Sequence, residues 1–280
     1  MTRYVLTLNS PDRPGIVNRV TGALLEIDGN IVESAQYGEP DGSIFALRMV
    51  FDSPVGHEGV NSRFGPVADD LSATITVRPM DVPKRALIMV SKYDHCLLDL
   101  LFRQRNGELA IDIPLVISNH TDCHQLVERY EKTFEHVPVA AESKTEAEAL
   151  LLQRVFELEI DFVVLARYMQ VLSADVCTAL PGRIINIHHS FLPGFKGARP
   201  YHQAHSRGVK LIGATAHYVT DDLDEGPIIE QDVARVSHTD SAEDMVRIGR
   251  DVERVVLSRA VRLHAEDRVV LFGSKTAVFA

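Results

Sequence analysis

The chain has 280 residues, of which 45% are hydrophobic and 24% charged, and this composition predicts a folded globular protein. A net charge of −10 at pH 7 disfavours nucleic acids and anionic membranes as partners, since both require clustered Lys and Arg. No apolar stretch approaches the roughly 18 residues of a membrane-spanning helix and no secretory apolar region follows the N-terminus, so we expect a cytoplasmic location.

Residues 1–82 predict a first, small domain. Its predicted elements are a strand over 3–10, a helix over 16–27, strands over 31–37 and 43–51, a helix over 57–71 and a strand over 73–77. The order βαββαβ is that of a ferredoxin-like sandwich. Pro79 and Pro83 then break the pattern, which predicts a domain boundary.

Residues 83–280 predict an α/β domain in which strands and helices alternate. The predicted strands are 86–91, 113–118, 136–140, 161–166, 183–187, 212–219 and 228–235; the helices are 95–105, 122–132, 145–158, 173–180 and a long one capped by Ser241. Strands 86–91 and 161–166 are continuously apolar, which is typical of parallel strands covered on both faces.

Two Gly- and Pro-flanked turns, each after an apolar run, carry the candidate reacting groups. Asn186 and His188 stand in the first turn, and Asp224 stands in the second. Loops beyond strand ends are where α/β enzymes place catalytic side chains. An amide and an imidazole can donate to a developing oxyanion, and a carboxylate can move a proton. The trio therefore suits attack on a carbonyl carbon.

The two turns also resemble a known family. The tract from Asn186 to Pro193 matches the pattern Asn-x-His-x-Ser-(Leu/Phe)-Leu-Pro, and the tract 213–229 matches the second signature, of the folate-dependent formyltransferases. The resemblance implies a Rossmann-like domain with a mostly parallel sheet, in which Asn186, His188 and Asp224 are catalytic and Asp224 is the acid or base. It also implies that the folate-binding residues are Tyr168, Met169, Gln170, Val171, Leu172, His217, Thr220 and Asp221.

The acceptor of the one-carbon unit is suggested by the segment 91–101. It has no glycine, whereas members that formylate a ribonucleotide carry a Gly-rich phosphate loop there. The segment is similar instead to that of the hydrolase of the family, which releases formate from 10-formyltetrahydrofolate for purine synthesis and balances the one-carbon pool. Folate and water would then be substrates, with no permanently bound cofactor. Two alternatives stay open: formyl transfer to an amine, and a non-catalytic sensor of amino acids or folate.

The N-terminal domain resembles the ACT family through the tract 9–17. The resemblance implies an effector site at Asp12, Arg13, Pro14 and Gly15 for an amino acid such as glycine or methionine, and assembly as a homo-oligomer. The alternative is a purely structural or dimerising module.

No metal site is predicted. Zinc binding by His188, His189 and His217 is disfavoured because no Cys or Glu stands at ligand spacing beside them. Cys96, Cys123 and Cys177 are widely spaced, which favours reduced thiols. Lys196, Gly197 and Arg199 follow the first signature, and Arg199 stands where the family usually has Asn.

Overall fold

The computed structural model describes residues 1–40, 42–194 and 200–279. It divides into two compact units, Met1–Pro83 with Glu266–Ala280, and Lys84–Ala265. The break between the two units after Pro83 lies one residue from the predicted domain boundary after residue 82. The C-terminal segment corrects the predicted extent of the second domain, 83–280, because Glu266–Ala280 belongs to the first unit.

The first unit has the predicted βαββαβ order. Its elements are β1 (Thr2–Ser10), α1 (Ile16–Leu25), β2 (Asn30–Gly38), β3 (Phe45–Ser53), α2 (His57–Leu71) and β4 (Thr74–Pro79). The strands form an antiparallel sheet in the order β2-β3-β1-β4. Leu6 and Leu47 of the sheet are buried in one cluster with Val20 of α1 and Phe64 of α2, because both helices turn an apolar face to the strands.

The second unit contains most of the alternating elements. They are β5 (Lys84–Val90), α3 (His95–Arg105), β6 (Ile111–Ser118), α4 (His124–Arg129), β7 (Thr133–His136), α5 (Lys144–Glu157), β8 (Phe162–Leu165), α6 (Ala174–Ala179), β9 (Ile184–His188), α7 (Pro200–Arg207), β10 (Leu211–Tyr218), β11 (Ile228–Arg235) and α8 (Ala242–Ala265). The predicted strand 136–140 was wrong: it contains Pro138, which cannot donate to a ladder, and the edge strand β7 precedes it. Helix α7 was not predicted.

The seven strands of this unit form one sheet in the order β11-β10-β9-β8-β5-β6-β7. Strands β5 to β9 pair in parallel, whereas β10 pairs antiparallel with both β9 and β11. The predicted mostly parallel sheet is therefore confirmed. From β5 the chain runs outward to β6 and β7, and it then returns to β8 beside β5. This reversal opens a crevice at the carboxyl ends of β5 and β8, where ligands bind in such sheets.

Both faces of the central strands are buried. Leu87 and Met89 of β5 pack in one cluster with Leu151 of α5 and Val176 of α6. Ile88 points to the opposite face and is equally buried, as expected for a strand whose two faces are covered. No helix in the described ranges has the length and hydropathy to cross a bilayer.

The start of α8 confirms the predicted cap. The Ser241 hydroxyl accepts a hydrogen bond from the Asp244 amide at 3.1 Å, and the Asp244 carboxylate accepts one from the Ser241 amide at 3.1 Å. This reciprocal pair satisfies two backbone donors at the helix N-terminus.

A C-terminal hairpin explains why the last segment belongs to the first unit. It consists of β12 (Val269–Phe272) and β13 (Lys275–Val278), which pair antiparallel. Val270 and Phe279 are buried against Ala35 and Ala46 of the N-terminal sheet. The hairpin thus extends the core of that unit.

Arg48 joins this segment to β3, and its replacement by Met tests the contact. Its side chain is 1% exposed and donates to Glu33 at 2.6 Å and to the Glu266 carbonyl at 3.1 Å. Arg48→Met leaves both acceptors without this donor, so we expect the free energy of unfolding to fall by about 1–3 kcal/mol in urea titrations. The control Arg3→Met removes a surface pair whose Arg side chain is 53% exposed, and it should lower the free energy of unfolding clearly less. Equal losses in the two variants would contradict the inference.

Candidate active site

Two antiparallel strands place the polar groups of the site. Asn186 and His188 are two residues apart on β9, so their side chains project to the same face of the sheet. On β10, His217 pairs with Asn186 and Thr215 pairs with His188. The loop after β10 carries Asp224. One strand pair and one loop therefore bring together residues far apart in sequence, and Asn186 and His188 lie on β9 itself, not in the turn that the sequence predicted.

The predicted trio meets around His188. Its Nδ1 lies 3.1 Å from Oδ1 of Asp224, and the two side chains are 4% and 12% exposed. Its Nε2 lies 3.0 Å from the Ser190 hydroxyl. The amide nitrogen of Asn186 lies 3.2 Å from Nε2 of His217, which is itself 3.7 Å from the Asp224 carboxylate. The trio thus shares one polar site, in which His188 is buried.

His217 orients the Asn186 amide. Its Nδ1 lies 2.9 Å from the Tyr218 carbonyl, an acceptor, so Nδ1 carries the proton in the neutral ring. Nε2 then accepts from the amide nitrogen of Asn186. Since an amide nitrogen has two N–H bonds, the second can donate to a ligand oxygen.

The loop that carries Asp224 closes back onto β10 because residue 226 is glycine. A Cβ atom at Gly226 would lie 1.7 Å from the Tyr218 carbonyl oxygen and 3.2 Å from Nδ1 of His217. Asp224 itself has φ of 58°, in the left-handed region that Asp and Asn tolerate better than most residues. The loop conformation therefore depends on a close approach that only glycine permits at residue 226 and on a left-handed backbone at Asp224.

Thr215 supports the turn after β9. Its buried hydroxyl donates to the Ser190 carbonyl at 2.9 Å and accepts from the Leu192 amide at 3.0 Å. Gln231 of β11 donates to the same oxygen at 2.9 Å. The first signature turn is thereby held against the antiparallel strands.

Electrostatics keep Asp224 charged and His189 neutral. Burial alone would raise the pKa of Asp224, but hydrogen bonding with His188, whose Nδ1 lies 3.1 Å away, is the largest of the effects that outweigh it and leave the pKa lowered. Burial, followed by the charge of Arg167, lowers the pKa of His189 to about 4. At neutral pH the site thus contains an ionised carboxylate and, beside His188, an uncharged imidazole.

These groups line a cleft of about 720 Å³ at the carboxyl ends of the strands. All the predicted catalytic and folate-binding residues contribute to its lining: Asn186, His188, Asp224, Tyr168, Met169, Gln170, Val171, Leu172, His217, Thr220 and Asp221. The structure therefore brings together every residue that the sequence placed in this site.

The segment after β8 is anchored at its start. The Met169 amide donates to the Ser91 hydroxyl at 3.1 Å, and that hydroxyl donates to Asn119 at 2.6 Å. The Met169 amide is therefore already engaged by the protein. Tyr168 is buried, and burial raises the pKa of its hydroxyl to about 12.

Sequence reasoning missed one wall of the cleft. The lining residues that the sequence did not assign to the site include Tyr93, His95, Tyr201 and Glu253. One signal was available, because Glu253 interrupts the apolar stripe of α8 and is buried. The other residues lie on separate elements that only the fold brings together.

A metal ion fits this wall poorly. Among the described residues, His95, Cys96 and Glu253 have ligand atoms within 4.8 Å of one another. However, Arg167 lies 3.5 Å from the Glu253 carboxylate, and burial raises the pKa of Cys96 well above its usual range. A neighbouring guanidinium and a protonated thiol both oppose cation binding. Cys96, Cys123 and Cys177 are buried free thiols.

The predicted effector residues lie in the exposed turn before α1 of the first unit: Asp12, Arg13, Pro14 and Gly15. Arg13 donates to the Asp70 carbonyl and lies 3.7 Å from the Asp70 carboxylate. Lys196, Gly197 and Arg199 lie outside the described residues.

Comparisons with known proteins agree with this geometry. A family model described as formyl transferase matches residues 84–261. A formyltetrahydrofolate deformylase of Bacillus subtilis is 48% identical over 278 residues, which cover 98% of this chain and 93% of that protein. One from Synechocystis is 46% identical, covering 98% of each chain. The crystal structure of a Burkholderia mallei formyltetrahydrofolate deformylase matches with a TM-score of 0.96 and 46% identity, covering 100% of both chains.

The parallel sheet, its crevice and the two signature loops thus define a protein of the formyl transferase class. Within that class, the chain belongs to the formyltetrahydrofolate deformylase family, since the similarity extends over nearly the whole chain.

Gly226→Ala tests how the loop places Asp224. Because a Cβ atom there would lie 1.7 Å from the Tyr218 carbonyl oxygen, the loop must move and separate Asp224 from His188. The pKa of Asp224 should then rise toward its ordinary value of 3.8, as followed by carboxyl NMR titration. The change should also cost about 1–3 kcal/mol of stability. Gly22→Ala, whose added carbon meets nothing within 4 Å, is the control. An unshifted Asp224 titration in Gly226→Ala would contradict this account.

Proposed function

We propose that this protein hydrolyses 10-formyltetrahydrofolate to formate and tetrahydrofolate in the cleft beside His188. The observation that carries the proposal is the convergence of Asn186, His188 and Asp224 at a shielded position of that cleft. Membership in the deformylase family supports water as the acceptor.

The formyl oxygen becomes an oxyanion when water attacks. Asn186 offers its second amide N–H to that oxygen, since His217 already orients the first. His188 offers the N–H of Nε2, which in the free site lies 3.0 Å from the Ser190 hydroxyl, and Asp224 fixes the ring through Nδ1. Fixed donors in a site of low water content stabilise such a charge strongly.

Asp224 handles the proton in this proposal. A bond forms between the water oxygen and the formyl carbon, the bond from that carbon to the folate nitrogen breaks, and a water proton ends on that nitrogen. In the open cleft the lowered pKa of Asp224 makes it a weak base. A bound folate excludes water from the carboxylate, and desolvation raises its pKa toward the range in which a base is effective.

Folate binds as a substrate along the other side of the cleft. The segment from Tyr168 to Leu172 combines apolar side chains with backbone groups, and His217, Thr220 and Asp221 line the cleft with it. An apolar slot with few polar groups suits the flat polar ring of a pterin. No permanently bound cofactor takes part in this mechanism.

Regulation is a second part of the proposal. The first unit, with its βαββαβ order, acts as an ACT-like module, and the turn from Asp12 to Gly15 is its candidate site for glycine or methionine. The amides at the start of α1 can hold a carboxylate there. Assembly as a homo-oligomer and a cytoplasmic location remain predictions.

Incubation with 10-formyltetrahydrofolate alone tests the activity. We expect formate and tetrahydrofolate to accumulate in equal amounts without any added amine, as measured by formate dehydrogenase coupling and absorbance. Turnover that begins only after an amine is added would replace the proposal with formyl transfer. Binding of folate without turnover in either condition would favour the sensor.

Asp224→Asn tests the proton-handling role. Asn is isosteric and tolerates the left-handed backbone at this position, so the fold should be retained. Because an amide cannot accept a proton from water, we expect the rate to fall at least about 100-fold. Asp251→Asn, on a side chain that is 62% exposed, should keep the parent rate. A folded Asp224→Asn variant with the parent rate would remove Asp224 from the mechanism.

A further inference from the structure

A cluster of ionic and polar side chains forms one wall of the cleft. We call it the Glu253 cluster, and it consists of Glu253, His95, Arg167 and Tyr201. The Glu253 carboxylate, 1% exposed, accepts from the Tyr201 hydroxyl at 2.7 Å and from His95 at 2.8 Å. Nε of Arg167 lies 3.5 Å from it. Burial opposes ionisation, but the His95 hydrogen bond and the charge of Arg167 leave the pKa of Glu253 lowered. The cluster is therefore a fixed, charged wall.

His189 connects this wall to the reaction centre. Its ring centroid lies 5.2 Å from that of His188 and 6.3 Å from that of Tyr201. The Glu253 cluster thus bounds the space next to His188 on the side of His189. An acceptor that approaches the formyl carbon from this side meets these side chains.

Arg167 occupies its place at an energetic cost. It has φ of 64°, a conformation that costs a residue with a side chain about 1–2 kcal/mol. Its side chain is 10% exposed, and its Nε and Nη1 form no hydrogen bond with any described residue. A small oxygen ligand such as water would satisfy them.

Gly249 allows Tyr201 to reach the carboxylate. A Cβ atom at Gly249 would lie 2.1 Å from Cζ and 2.3 Å from the hydroxyl oxygen of Tyr201. Glycine inside a helix such as α8 costs about 1 kcal/mol relative to alanine. Here it makes room for the ring whose hydroxyl binds Glu253, one helical turn further along.

Positive charge accumulates near the cluster. The guanidinium carbons of Arg167 and Arg250 lie 5.6 Å and 5.3 Å from the centroid of the Tyr93 ring. Most primary amines are protonated at neutral pH. The two guanidinium groups outnumber the single Glu253 carboxylate that lies beside Arg167, so their net effect is to repel an ammonium ion. Water carries no charge and is smaller than any amine acceptor.

We propose that the Glu253 cluster restricts the acceptor to water, because it bounds the space beside His188 and presents guanidinium groups to an incoming ammonium ion. This inference rests on the proposed hydrolysis and assigns the choice of acceptor to named side chains. With either acceptor, a bond to the formyl carbon forms, the bond to the folate nitrogen breaks and the acceptor's proton ends on that nitrogen. The wall therefore selects the acceptor without changing the chemical step.

Arg167→Gly in the full chain tests the proposal. Glycine adopts φ of 64° without strain, so the backbone can stay in place while the space and the charge change. With 10-formyltetrahydrofolate and glycinamide, a small primary amine, the ratio of N-formylglycinamide to formate should rise at least about tenfold over the parent protein. Tyr201→Phe, which removes one donor to Glu253, should shift the ratio in the same direction. Mass spectrometry measures both products.

Glu131→Gly is the matched control, because Glu131 is exposed and also has a positive φ, of 57°. It should leave the product ratio unchanged. The parent ratio in both wall variants, whatever their rates, would overturn the proposal, since a purely structural role lowers both products together. If Arg167→Gly does not fold by circular dichroism, Tyr201→Phe decides alone. Failure of the parent protein to release formate without amine would instead overturn the hydrolysis.

Discussion

The contact between His188 and Asp224 is the interaction on which the site depends. The two residues lie 36 positions apart in sequence, yet Nδ1 and Oδ1 are 3.1 Å apart. The antiparallel pairing of β9 with β10 brings their strands together, and Gly226 lets the following loop return to the sheet. The pair sets the charge of the carboxylate and the orientation of the imidazole, so both proposed roles follow from one contact.

The cleft contains two carboxylates with low exposure to solvent, Asp224 and Glu253. Asp224 is paired with His188, and Glu253 is paired with His95, while His189 lies near both. Burial and the charge of Arg167 lower the pKa of His189 to about 4, so this ring stays neutral at physiological pH. A neutral His189 does not compete with His188 for Asp224. The Asp224–His188 pair and the Glu253–His95 pair are therefore separated by an uncharged ring.

Sequence reasoning found the parts of the fold and site that depend on local pattern. The apolar runs of β5 and β8 indicate buried parallel strands, and each signature keeps its reacting groups within one short tract, as with Asn186 and His188. It missed what only tertiary packing creates. The Glu253 cluster draws its members from four separate places, and the C-terminal hairpin is assigned to the first unit by packing of Val270 and Phe279 on the N-terminal sheet. No hydrophobic periodicity in the sequence predicts the Glu253 cluster or the packing of the C-terminal hairpin.

Backbone strain gives an independent reason to assign function to both sides of the cleft. Most described non-glycine residues with positive φ follow the end of a helix, where a left-handed residue commonly ends the hydrogen-bond ladder: Asp28, Ser72, Glu131, Glu159 and Asp267. The remaining two, Arg167 and Asp224, follow strands β8 and β10 and line the cleft. No helix end requires their conformation. Strain of this kind persists where the surrounding structure over-determines it, often at functional sites. Backbone strain therefore supports a functional role for Arg167 of the Glu253 cluster by the same argument as for Asp224, the carboxylate proposed to move the proton.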